Sequence, residues 1–167
     1  MNFLIAGLLV AAVQETAENP EYRSWSPFKA GTSVKLKEVA ESGTITETLL
    51  TLIEVDEKKA VVEARVVRFS RGMKAEMPVE RREITALVPK EDLQPQGQLL
   101  DTGEEEIQVA GRRILCRWTE VREAANVIVR TWTNSEVPGG IVRREIRTEG
   151  PTPSVIRLEL VEWTMPS

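Results

Sequence analysis

From Thr32 onward the chain is a series of short apolar and β-branched runs with turn residues between them. This is the pattern of strands, not of helices. It predicts strands near 32–40, 44–55, 60–70, 79–88, 105–109, 112–122, 126–134, 141–148 and 154–163. The last run alternates cleanly: Ile156, Leu158 and Leu160 face one way, Arg157 and Glu159 the other. Ser42–Gly43, Asp56 to Lys59, Ala110–Gly111 and Ala124 to Asn126 are short enough to close hairpins. No stretch predicts a helix of three turns. Pro89 to Asp92 opens a single turn at most. Ahead of the strands, Tyr22, Trp25 and Phe28 recur at a spacing of three, which predicts one helical turn laid on a sheet end as an aromatic plug. The expected fold class is all-β, an antiparallel meander.

The alternation fails in one informative place. Leu49, Leu50, Leu52 and Ile53, and again Val61, Val62, Val66 and Val67, are apolar on both faces. A strand solvated on one side does not show this, so something covers both faces there: the rest of a barrel, a second sheet or a ligand. A curved sheet or partly closed barrel fits best, with a two-sheet sandwich as the alternative. The strands form two half-sets, 32–88 and 104–163, joined by a loop at 89–103. The sets share Arg81–Arg82–Glu83–Ile84 and Arg143–Arg144–Glu145–Ile146 letter for letter. An internal pseudo-repeat of a three-strand unit is one explanation, and coincidence between hairpins of similar composition is the other.

The N-terminus differs from all of this. Residues 3–13, FLIAGLLVAAV, are uninterruptedly apolar and stop at Gln14. The run is too short to span a bilayer but has the length of a signal-peptide core, and Val10–Ala11–Ala12 offers a small-residue cleavage site. No Lys or Arg precedes it, and a buried first element of the mature protein is the competing reading. The expected organisation is a signal segment at 1–12, an extended or short helical lead-in at 13–31, and one β domain at 32–167. The localisation is then secreted or periplasmic, with no transmembrane span in the mature chain.

Composition narrows the chemistry. The 167 residues carry a formal charge of -4, without the basic excess of a nucleic-acid binder. There is no histidine and one cysteine, Cys116, so Ser–His and Cys–His nucleophile pairs and thiolate or imidazole metal sites are excluded. Cys116 alternates with Ile114 and Trp118 and reads as a small buried hydrophobe. Carboxylate-only sites survive that test. Glu104–Glu105–Glu106 and Asp56–Glu57 nevertheless lack the ligand spacing and glycine turn of a calcium loop, and read as solvated edges. No catalysis, cofactor or metal is expected.

The densest constellation runs from Cys116 to Arg147. Trp118 and Trp132 fall on the two arms of one hairpin, and Arg117, Arg130, Arg143 and Arg144 alternate with Glu120, Glu136 and Glu145. The structural reading is a ladder of cross-strand charge pairs. The functional reading is a rim where Trp118, Arg130, Trp132 and Glu136 hold a ligand. Beyond it, Pro138, Gly139 and Gly140 form a turn, with Gly139 expected at positive φ.

W-T-N-S-E-V-P-G-G-I-V, from Trp132 to Val142 and preceded by I-L-C-R-W, resembles a hairpin motif of exported bacterial β-rich domains that carry no established activity. W-S-P-F-K-A-G-T-S-V, from Trp25 to Val34, looks like the start of the same domain. More loosely, the meander is similar to the half-barrel of periplasmic lipoprotein carriers, which hold acyl chains in an apolar cavity. Two-sided apolarity in the early strands, together with export, points to an exported binding module for a lipid-like or other hydrophobic small molecule. The alternative is a structural domain of the envelope that meets a partner protein.

Overall fold

The computed structural model describes residues 15–167. The apolar run at 3–13, and with it the expected signal segment, lies outside the described residues. The chain opens with strand β1 (Thr16–Glu18) and helix α1 (Pro20–Trp25). Helix α1 starts where it does because the Asn19 side chain accepts the Glu21 N–H at 3.0 Å and Pro20 supplies a helical φ with no N–H to satisfy. Strands β2 (Ser33–Ala40), β3 (Ile45–Val55), β4 (Lys59–Ser70), β5 (Met73–Glu76), β6 (Glu80–Thr85) and β7 (Leu87–Pro89) follow. After a 3₁₀ turn at Lys90–Leu93 come β8 (Gln98–Val109), β9 (Arg112–Ala124), β10 (Val127–Thr133), β11 (Ile141–Thr148) and β12 (Ser154–Thr164).

All pairings are antiparallel, and ten strands form one sheet. Its order is β5–β4–β3–β2–β12–β11–β10–β9–β8, with β6 also on β4. Each half-set is a meander. The two are joined because β12 pairs with β2, so the beginning and end of the domain meet mid-sheet. β1 and β7 form a separate two-stranded ribbon.

The sheet curls without closing. Arg112 at the start of β9 lies 5.1 Å from the ring centroid of Trp163 near the end of β12. In a flat sheet these strands, three places apart, would be separated by about 14 Å. Bulges in β3, β11 and β12 are where such a sheet bends. Two edges stay open. One is β8; the other is β5 and β6 laid in series on β4, interrupted at Pro78, a residue suited to an edge because it lacks a ladder N–H. Of the forms expected from the pattern, the open curved sheet is the one adopted.

Three details differ from the sequence reading. Strand β8 begins at Gln98, so the long connection is shorter than 89–103. Asp101 and Gly103 look like loop residues, but an exposed edge strand tolerates them because it buries little. β5 was not anticipated, since all four of its residues are exposed and carry no core pattern. The run at 79–88 is divided: β6 stays in the main sheet and β7 leaves it for β1.

The core gathers side chains from both half-sets. Leu52, Ala60 and Cys116 are fully buried, beside Val34, Leu36, Val62, Ile84, Ile114, Trp132, Val142 and Leu160. Trp25 enters this cluster from α1, with Tyr22 and Phe28 against it, as the aromatic spacing predicted. The tetrapeptide Arg-Arg-Glu-Ile lies on β6, paired with β4, and on β11, paired with β10, but in different register. Ile84 faces Ala60, which itself closes the preceding turn against Val55. Ile146 faces Val129, two residues beyond the turn-closing Val127. The shift of two keeps the face and changes the position.

Candidate functional site

Register lays two rows of side chains across one face of the sheet. The first is Glu120, Arg130, Glu145, Arg157, Val39, Ile45, Phe69, running from β9 to β4. The second, two residues along, is Trp118, Trp132, Arg143, Glu159, Lys37, Glu47, Val67. This face is charged over β9–β12 and partly apolar over β2–β4. Val39, Leu49 and Phe69 remain 42%, 38% and 36% exposed. The two-sided apolarity of the early strands is thus a face that the described residues leave uncovered.

On the charged side three of the four expected rim residues, Trp118, Arg130 and Trp132, come together, and Arg130 and Trp132 are engaged by neighbouring carboxylates. The Arg130 guanidinium sits 4.4 Å from the Trp118 ring centroid and 5.7 Å from that of Trp132. It donates to Glu120 at 2.9 Å, and Arg147 reaches the same carboxylate oxygen at 2.5 Å. Trp132 is buried, and its indole N–H donates to Glu105 at 2.8 Å. The Arg143 guanidinium lies 5.5 Å from the Trp132 ring centroid, and its buried Nε is 3.1 Å from Glu159 as an ion pair without hydrogen-bond geometry. Arg157 donates to Glu145 at 3.0 Å. Arg130, Arg147, Arg157 and the Trp132 indole thus have carboxylate partners inside the ladder, which makes this group a half-buried cross-strand network. Glu136 does not join it. It is exposed on the loop after β10, where its backbone N–H donates to Asn134 at 2.6 Å.

The turn after β10 is as predicted and ties the helix to the sheet. Gly139 and Gly140 hold φ of 74° and 75°. The Gly139 N–H donates to the Ser24 carbonyl at 3.0 Å, and Pro138 is fully buried. Between α1 and this turn lies a cleft of about 790 Å³. Pro20, Pro27 and Ile141 give it apolar walls; Arg23, Arg82 and Arg144 stand at it with Glu21. Arg82 forms a forked pair with Glu21. A second cleft of about 620 Å³ continues past Asn134 and Ser135 to Arg117 and Leu115. Sequence reasoning missed this site. Its walls come from α1, β6 and β11, and only the docking of α1 on the turn brings them together.

Cys116 is fully buried, its thiol donates to the Ile114 carbonyl at 3.6 Å, and burial pushes its pKa up. A thiolate nucleophile is therefore disfavoured. Among the described residues, no cluster of three or more acidic or cysteine side chains is arranged to hold a metal ion. No helix among them is long and apolar enough to cross a membrane. Compared with known proteins, the chain matches no family model and no curated protein.

Proposed function

We propose that this chain is an exported, non-catalytic binding module for a ligand with a hydrophobic part, seated in the cleft between α1 and the Pro138–Gly140 turn. The observation that carries this reading is the cleft itself. Its volume of about 790 Å³ lies in the range of small-molecule sites, roughly 300–1,000 Å³. Apolar walls and a backbone held by the Ser24–Gly139 hydrogen bond favour a preformed site. The short apolar run at 3–13 supports export, and the absence of histidine with a single buried thiol supports binding without chemistry. A native mass spectrum of the full-length gene product recovered from a bacterial periplasm tests both parts. A mass lacking roughly the first dozen residues supports export. A lipid-sized adduct lost on Ser135→Trp supports the cleft. An uncleaved protein overturns the export part, and an adduct indifferent to that substitution overturns the site.

A second reading rests on the uncovered face. Val39, Ile45 and Phe69 lie in one register row beside Leu49, an apolar area that suits an envelope protein partner. Phe69→Glu then abolishes partner capture and leaves any cleft ligand in place.

A further inference from the structure

Resting on the cleft reading above, we infer that the ligand is an amphipathic anion, with an apolar body and a carboxylate or phosphate head, and that Arg144 anchors the head. The arginines of the sheet face are nearly all neutralised: Arg130 by Glu120, Arg143 by Glu159, Arg157 by Glu145. At the cleft, Arg82 is held by Glu21, and Arg23 reaches Glu18 at 3.5 Å. Arg144 differs. Its neighbours in register are Thr131 and Leu158, both neutral, and its guanidinium Nε donates only weakly, at 3.4 Å, to the Thr131 hydroxyl. No carboxylate forms an ion pair with it among the described residues. An exposed guanidinium facing a cleft, with its remaining N–H donors unassigned to any carboxylate, suits a forked pair of oxygen acceptors. With Arg82 paired to Glu21 and Arg23 to Glu18, Arg144 leaves one guanidinium without an ion pair among the described residues at the cleft, on a chain whose formal charge is -4. Pro20, Pro27 and Ile141 take the apolar body.

The test is a ¹H–¹⁵N NMR titration of the folded protein with octanoate, octyl phosphate, 1-octanol and inorganic phosphate. Saturable shifts at the Gly139, Gly140 and Ile141 amides are expected with octanoate or octyl phosphate, and whichever binds tighter identifies the head group. Arg144→Gln should weaken that binding at least tenfold, Arg144→Lys less, and Arg157→Gln on the sheet face not at all. Residue 144 is exposed, and the spectrum itself reports whether each variant is folded. If 1-octanol binds as tightly as the anions, or Arg144→Gln binds as tightly as the parent, the anion assignment is overturned and the cleft stands. If inorganic phosphate alone matches octyl phosphate, the apolar body is not recognised and the inference fails. If no probe shifts these amides, or Ser135→Trp leaves the shifts unchanged, the cleft reading fails as well.

Discussion

The indole of Trp25 occupies the space where a side chain at residue 139 would begin: a Cβ built on Gly139 falls 2.9 Å from Cζ2 of Trp25. The same glycine holds a φ of 74°. Helix and turn are therefore interlocked at one point, and the cleft depends on that lock. Gly139→Ala should cost about 1–3 kcal/mol for the left-handed backbone and a similar amount for displacing the indole. Gly43 has φ 80° with no atom near its missing Cβ, so Gly43→Ala isolates the backbone part. Urea unfolding of both variants checks the difference. Equal losses would show that Trp25 yields freely.

Glu63 makes stability depend on acid. The Arg81 and Arg65 guanidinia, at 2.8 and 3.0 Å, hold its carboxyl below the usual range. A depressed folded-state pKa contributes stability that is fully present above the unfolded value, about 4.3, and lost as pH falls through the folded value. Unfolding free energy measured from pH 6 downward should therefore fall less steeply for Glu63→Gln than for the parent. Superimposable slopes would rule the linkage out.

Thr32 is 1% exposed, and its hydroxyl oxygen has no hydrogen-bond partner among the described atoms. Its backbone is fully engaged, with the N–H on Lys29 and the carbonyl accepting from Leu52. Thr32→Val keeps the branched shape and removes the unsatisfied group, so it should stabilise by about 1 kcal/mol. A melting temperature that drops instead would point to a hidden acceptor.

Glu120 serves two guanidinia with one oxygen, and its side chain is 13% exposed. Glu120→Gln should cost about 1.5–3 kcal/mol and change Trp118 fluorescence as Arg130 is released. Glu104→Gln, on an exposed 3.5 Å pair with Arg117, should cost no more than about 1 kcal/mol. Chemical denaturation followed by tryptophan emission reads both.

Cys116 should react with a thiol reagent at pH 8 only through opening of the fold. Burial and the raised pKa both suppress the thiolate. Labelling should be slow in buffer and accelerate with sub-denaturing urea. Prompt labelling in buffer would mean that β9 is accessible in the native state.

Much of the architecture was legible in local pattern. Apolar, β-branched runs bounded by turn residues placed β2, β3, β4, β9, β10, β11 and β12 close to their observed bounds, with the hairpins between them. These signals are local: a side chain's face and a glycine's φ are set within a few residues. The plug was legible for the same reason, since Tyr22, Trp25 and Phe28 recur at a spacing of three within α1 and the turn that follows it. β5 and the first half of β8, before the expected strand at 105–109, were obscured because these exposed edge segments bury little and leave no apolar trace.

The site was not legible, because it is made of distances across the chain. Composition could say that Trp118, Arg130 and Trp132 share a hairpin, but not whether their polar groups were free. Only the folded structure, which sets Arg130 against Glu120 and Trp132 against Glu105, showed that guanidinium and that indole engaged by carboxylates. Conversely, Arg144 looked like its repeat-mate Arg82 in sequence. Tertiary packing gave Arg82 a carboxylate from α1 and gave Arg144 only neutral neighbours. Secondary structure and turn chemistry follow from the order of residues along the chain; which charges are neutralised follows from what the fold brings within about 4 Å, and that only the folded structure decides.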